Sequence, residues 1–268
     1  MLHITDIIIV GGGPAGLSAA ITARQRNNSV SVISNDSTKS GLYKAPRVNN
    51  YPGFPGISGA GLLDKLQIHA VEAGADMITG QVSTILPMGE TFQVGYATDI
   101  VASKSVILAI GIVQTSLFPG EEELLGRGVS YCATCDGMLY KGKRVCVICL
   151  EPEACEEADY LASIGCDVIR LMAKDVKIKG FNRVESVIAD GEEIRCAGVF
   201  ILRKEVAPHL LLPGLETKGG HIVASLSGKT NIPGVFAAGD CMGSPHQIAK
   251  AVGEGQVAAL SASEYIFP

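Results

Sequence analysis

Two cysteines with two residues between them, followed at once by an acid, stand near the middle of the chain in Tyr131-Cys132-Ala133-Thr134-Cys135-Asp136-Gly137. Thiols at this spacing can close a small disulfide ring, and at a helix start the positive end of the dipole favours the thiolate. Asp136, beside the pair, could shuttle the proton that thiol exchange requires. The indicated chemistry is reversible two-electron oxidation of a dithiol. The competing use is half of a zinc site, because Cys146 and Cys149 make a second CxxC further on. That second pair lies in an apolar strand, whose alternation turns positions three apart onto opposite faces, whereas a zinc knuckle wants both on a turn. No metal site is therefore expected. Cys155, Cys166, Cys196 and Cys241 read as isolated, buried structural thiols.

A second chemistry-bearing stretch is Gly11-Gly12-Gly13-Pro14-Ala15-Gly16, which follows the β-branched run Asp6-Ile-Ile-Ile-Val10 and opens the helix-like LSAAITARQ. In the pattern Gly-x-Gly-x-x-Gly, Gly11 permits the tight turn, Gly13 lets a pyrophosphate approach the backbone and Gly16 allows close helix packing. The phosphates are then held by the helix N-terminus. A strand at residues 29–34 follows about twenty residues after the first and completes a βαβ unit. Just beyond it, Asp36 or Asn35 could hold an adenosine ribose.

These residues need a scaffold, and the chain of 268 residues with 47% hydrophobic content can bury a large core. Helical spacing at residues 58–73 and a buried parallel strand at 105–111 complete a first α/β lobe. The pattern then restarts, with a strand at 143–149, a helix at 153–164 and a strand at 166–170. Residues 184–202 read as a short antiparallel hairpin around Asp190-Gly191, which leaves no room for another helix and strand. The fold class expected is α/β with two Rossmann-like lobes, the second a shortened repeat of the first. Gly234-Val-Phe-Ala-Ala-Gly239-Asp240 and a small-residue helix over 247–266 look like a return to the first lobe. The boundaries expected are 1–113 with 226–268 for one domain and 114–225 for the other.

Several classes are disfavoured. A net charge of −5 argues against a general nucleic-acid binder. No apolar run approaches the ~18 residues of a membrane span. The first ten residues have neither a basic start nor a small-residue cleavage site, so a strand and a cytoplasmic protein are expected. Eight cysteines are too sparse for a disulfide scaffold of this length.

GGGPAG, CATCDG and GVFAAGD, in that order, resemble the low-molecular-weight thioredoxin reductases over nearly the whole chain. The resemblance implies a flavoprotein in which the first lobe and the C-terminal tail bind FAD, while the middle lobe carries the CxxC and normally binds NADPH. It implies that Cys135 is the thiol against the flavin, Cys132 the one that attacks thioredoxin, and Asp136 the general acid. Gly11, Gly13, Pro14, Ala15 and Gly16 would cradle the pyrophosphate. Gly239 and Asp240 would lie at the ribityl-phosphate side, Gln247 and Ile248 by the isoalloxazine, and Asn50, in VNNYPG, at a flavin-contacting position. A homodimer is implied as well.

The chain departs from that family in its second lobe. Where the family has a second glycine turn, this chain reads Cys149-Leu150-Glu151-Pro152-Glu153-Ala154. Side chains there block the backbone from a pyrophosphate, and the two glutamates would repel it. The basic cluster for the 2′-phosphate is replaced by Arg170-Leu-Met-Ala-Lys174. A segment with five basic residues (Arg170, Lys174, Lys177, Lys179, Arg183) against one acid, Asp175, could instead steer an acidic one-electron carrier such as ferredoxin. The pattern resembles the branch of the family that lacks the pyridine-nucleotide site and takes electrons from ferredoxin. A fall from about −400 mV to about −270 mV releases roughly 6 kcal/mol for a two-electron couple, so the direction is favourable. An NADPH enzyme with an atypical site and a non-catalytic flavin and disulfide redox sensor are the alternatives.

Overall fold

The computed structural model describes residues 4–35, 37–97, 99–111, 118–121, 123–130, 133–149, 154–172, 175–202 and 207–267. Contacts divide the chain into two compact units, Met1–Val113 with Ala207–Pro268, and Gln114–Val206.

The first unit opens with β1 (Ile4–Val10), α1 (Pro14–Gln25), β2 (Val30–Ser34), α2 (Gly59–Glu72) and β3 (Asp76–Thr79). A hairpin of β4 (Val82–Met88) and β5 (Thr91–Tyr96) leads into the long β6 (Asp99–Leu108). Strand order β3-β2-β1-β6 is parallel throughout, while the first half of β6 runs antiparallel to β5. The β-branched run behaves as composition demands: Ile7, Ile8 and Ile9 are all fully buried, because both sheet faces are covered. Asp6 ties β1 to β6 and to the residue that precedes β2, accepting hydrogen bonds from the Ser29 N–H (2.8 Å), the Ser29 hydroxyl (2.8 Å) and the Lys104 ammonium (2.7 Å). Ser58 starts α2 by accepting from the Gly61 N–H.

The second unit holds β7 (Val129–Ser130), α3 (Ala133–Asp136), β8 (Arg144–Cys149), α4 (Ala154–Ser163) and β9 (Asp167–Leu171). An antiparallel meander follows, β10 (Val176–Gly180), β11 (Val184–Ala189) and β12 (Glu192–Arg195), and then β13 (Gly198–Leu202). The expected hairpin around Asp190-Gly191 is β11 and β12, with Asp190 at φ 49° and Gly191 at φ 87°. Residues 198–202, which the sequence pattern assigns to that hairpin, instead form a parallel strand between β7 and β8. The reason is burial: Val199, Phe200 and Ile201 have no exposure, and an unbroken apolar run suits a central parallel strand better than an antiparallel edge. Order β9-β8-β13 thus repeats β2-β1-β6, with β10–β12 in the place of β4 and β5. Among the described residues, no counterpart of α2 and β3 exists.

The return to the first unit begins at Ala207, earlier than position 226. Here α5 (Pro208–Leu211) packs on β4 and buries Leu210 and Leu211. After a two-residue ribbon, β14 (Thr217–Lys218) with β15 (His221–Ile222), strand β16 (Val235–Ala237) pairs in parallel with the end of β6. Helix α6 (Ile248–Ile266) then packs on α1 through small residues. A Cβ on Gly255 would come within 2.1 Å of the Ala15 carbonyl oxygen, so glycine permits that approach. Ser18 donates to the Val252 carbonyl (2.7 Å) and Asn28 to the Ser263 hydroxyl (2.7 Å) across the same contact.

Candidate functional site

In the first unit, the C-terminal ends of β1, β2 and β16 and the N-termini of α1 and α6 gather most of the residues singled out from sequence. Gly11 has φ 112°, and a Cβ on it would lie 2.2 Å from the Ala109 carbonyl oxygen. A Cβ on Gly16 would lie 1.9 Å from the Gly11 carbonyl oxygen. Both glycines are therefore demanded by the protein's own backbone. Gly13 differs, since nothing lies within 4 Å of the position its Cβ would take. That open space leaves the Gly13 backbone accessible to a bound group. Gly13 caps α1 without a side-chain hydrogen bond, Pro14 occupies the first turn, and no acid is present there. The first N–H groups and the dipole are thus available to an anion. Asn35 follows β2 directly, whereas Asp36 lies outside the described residues.

The turn after β16 closes the other side. Gly239 has φ 86° and sits against the Ala15 methyl. Among the described residues, the buried Oδ1 of Asp240 has no hydrogen-bond partner. A buried carboxylate oxygen with no partner is costly unless a ligand supplies one. Beyond the turn, Gln247 and Ile248 begin α6, and the Asn50 amide donates to Gln247 Oε1 at 2.7 Å. Sequence inspection overlooked two residues that hold this turn. Glu254 Oε2 accepts from the Gly239 N–H (2.9 Å), and Lys250 Nζ donates to the Gly243 carbonyl (2.9 Å) while pairing with Glu254 (3.1 Å). Their signal is an i,i+4 pair that reads from sequence as an ordinary surface pair.

In the second unit, Ser130 at the end of β7 donates to Asp136 Oδ2 at 2.7 Å. This fixes the carboxyl at the end of α3, the single helical turn that contains Cys135. Cys132 lies outside the described residues. The glycine of CATCDG has a packing role: a Cβ on Gly137 would fall 2.8 Å from the Leu161 side chain and 2.9 Å from that of Ile164. Buried Ala133 packs with Val145, Val147, Cys149, Ala158 and Phe200, so α3 is pressed onto the sheet and α4. Burial and the nearby Asp136 charge push the Tyr140 hydroxyl upward.

Cys146 and Cys149 project to opposite faces of β8, Cys146 into the core under the meander and Cys149 into the core under α3 and α4. One ion cannot take both. Cys166 and Cys241 are buried singly, and burial pushes the Cys241 thiol to about 12. Cys196 is not isolated, contrary to its pattern in the sequence, because its thiol is hydrogen-bonded to that of Cys146. The basic segment 170–183 is divided as well. Arg170 pairs with Asp159 and Lys179 with Glu193, Lys177 is exposed on the meander, and Lys174 lies outside the described residues.

One Rossmann-like unit with a glycine-lined anion cradle, and a second with a CxxC helix on a repeat of the same sheet, define a dinucleotide-binding disulfide oxidoreductase. The model of the pyridine nucleotide-disulphide oxidoreductase family matches residues 5–188 and 169–255, and the chain belongs to that family. It is similar to thioredoxin reductase from Listeria innocua, with 32% identity covering 98% of this chain and 94% of that one. Two crystal structures of a ferredoxin-flavin thioredoxin reductase from Clostridium acetobutylicum match with 39% and 41% identity and TM-scores of 0.81 and 0.84. They cover 99% and 98% of this chain, and 98% of each of those chains is covered. The protein is a flavoprotein disulfide oxidoreductase of the thioredoxin reductase type, with FAD as cofactor. The open space at Gly13 and the Asp240 oxygen, which has no partner among the described residues, fit that group. Among the described residues, no helix is long and apolar enough to cross a membrane.

Proposed function

We propose that this protein reduces the thioredoxin disulfide with electrons from reduced ferredoxin rather than from NADPH. The observation that carries the reading is a comparison of the two units at one topological position. Between β1 and α1 stands Gly11-Gly12-Gly13-Pro14-Ala15-Gly16; between β8 and α4 stand Leu150-Glu151-Pro152-Glu153. Leu150 to Glu153 lie outside the described residues, so the comparison rests on their identity and on the strand and helix that flank them. Without glycine a pyrophosphate loses its approach to the backbone, and two glutamates repel it. The similarity to the Clostridium ferredoxin-flavin enzyme supports the same donor.

Bound FAD supplies the conversion of two single electrons into the pair that a disulfide needs. The chain's own residues divide the remaining work. Gly11, Gly13, Pro14, Ala15 and Gly16 would hold the pyrophosphate at the α1 N-terminus, and Asn35 or Asp36 the ribose. Gly239 and Asp240 would hold the ribityl-phosphate side, and Asn50, Gln247 and Ile248 the ring system. Cys135 would face the flavin. Cys132 would attack the thioredoxin disulfide, and Asp136, held by Ser130, would move the proton at the leaving thiolate. Replacing Cys132 with serine tests the assignment: the Cys132→Ser protein is expected to keep its FAD yet fall at least about a thousandfold in thioredoxin turnover. Normal thioredoxin reduction by that variant would remove Cys132 from the mechanism.

A further inference from the structure

The second unit contains another pair of facing thiols, away from the CxxC motif. Cys146 lies in the middle of β8 with no exposure, and Cys196 precedes β13 with 7% exposure. Both belong to one core cluster, with Val184, Val187 and Val199. Val199 is the register partner of Cys146, and the Ala197 N–H donates to the Arg144 carbonyl at 2.8 Å, so Cys196 leads into β13 near the start of β8; a hydrogen bond between the two thiols joins them. The Cys196 N–H donates to the Glu185 carbonyl at 3.2 Å, which anchors that residue to the meander.

The two cysteines are not equivalent. Cys196 also lines a groove of about 950 Å³ in the second unit, whereas Cys146 does not. The groove wall carries Arg127, Lys143, Arg183 and Arg195 against Glu185, whose carboxylate has no charged partner among the described residues; its remaining charges, Arg144 and Glu193, are engaged with Asp167 and Lys179. The hydrogen bond between the thiols lowers Cys196 while pushing Cys146 up, so the sulfur that reaches the groove is the more readily ionised of the two.

We propose that Cys146 and Cys196 form a second redox-active dithiol, oxidised by small anionic disulfides that enter the basic groove. The Cys196 thiolate attacks one sulfur of the small disulfide, forming a mixed disulfide and releasing one thiolate. Cys146 then gives up its proton and attacks Cys196 Sγ, closing the protein disulfide and expelling the second thiolate. Two protein thiols and one small disulfide become one protein disulfide and two small thiols, with two electrons passing outward. The pairing has no need of FAD or of an external electron carrier, and it stands whatever reduces the flavin.

Oxidised glutathione is the probe. Reduced holoenzyme is incubated with it, quenched with an alkylating agent and digested, and the disulfide-linked peptides are sequenced by mass spectrometry. The expected result is a link between Cys146 and Cys196 in the wild-type protein, a glutathione adduct retained on Cys196 in Cys146→Ala, and no modification of Cys146 in Cys196→Ala. Uncharged hydroxyethyl disulfide is expected to react at least about tenfold more slowly at low salt. An alkylated, unlinked Cys196 at a point where the CxxC is fully oxidised would overturn the proposal. Equal rates with the charged and uncharged disulfides would overturn the role given to the groove. Both readouts are covalent and are independent of the enzyme's turnover.

Discussion

Asn50 and Gln247 stand 197 residues apart in the chain and are joined by one hydrogen bond of 2.7 Å. The VNNYPG loop and the first residue before α6 are thereby locked together at the edge of the first unit. Both side chains are exposed, so a bond between them has little value for stability alone; under the proposed function it would preorganise the edge that receives the flavin. Asn50→Ala and Gln247→Ala are each expected to weaken FAD binding. The double variant should be weaker than either by less than the sum, with a coupling of about 1 kcal/mol. Fluorescence titration of the apoprotein with FAD checks this, and strict additivity would mean that the two act separately.

The glycines of the first turn divide by what a methyl group would strike. Gly16→Ala drives a carbon into the Gly11 carbonyl, so it should cost about 3 kcal/mol or more of stability even without cofactor. Gly13→Ala meets open space within the protein. Its apoprotein should melt as the wild type does, while its FAD affinity falls at least about tenfold, near 1.4 kcal/mol. Thermal melts of the apoproteins, set beside FAD titrations, separate the two cases.

Asp6 links stability to acid pH. Burial raises its pKa, but the hydrogen bonds from Lys104 and Ser29, with the Lys104 charge, outweigh burial and hold the carboxyl below its ordinary value. A depressed folded pKa means the contribution is complete above the unfolded value near 3.8 and drains away as pH falls through the folded one. Asp6→Ala is expected to lose about 1–2 kcal/mol at neutral pH, with the gap to wild type closing below about pH 4. Denaturant melts across that range measure it.

Local signals were legible in the sequence where one residue type has one physical use. The Gly11–Gly16 turn, the Asp190-Gly191 hairpin and the small-residue face of α6 all follow from backbone freedom or close approach, which composition reveals directly. Residues 198–202 read as part of the hairpin because a short apolar run does not state whether its neighbours run parallel or antiparallel; only burial between β7 and β8 decides that. Lys250 and Glu254 were missed because their partners are backbone groups of a turn that the sequence does not place beside α6. The Cys146 and Cys196 contact arises where the meander packs over the sheet in one shared core, which no spacing along the chain discloses. The start of the return segment at Ala207 was hidden for a related reason, since Leu210 and Leu211 would suit either unit until their contact with β4 is known.

Choice of electron donor is the claim on which the functional account rests, and anaerobic flavin absorbance measures it most directly. One cuvette of holoenzyme receives NADPH and another receives chemically reduced ferredoxin, after which oxidised thioredoxin is added to each. The expected result is bleaching by ferredoxin alone, with the colour restored by thioredoxin. Rapid, saturable bleaching by NADPH would contradict the account and return the second unit to nucleotide binding.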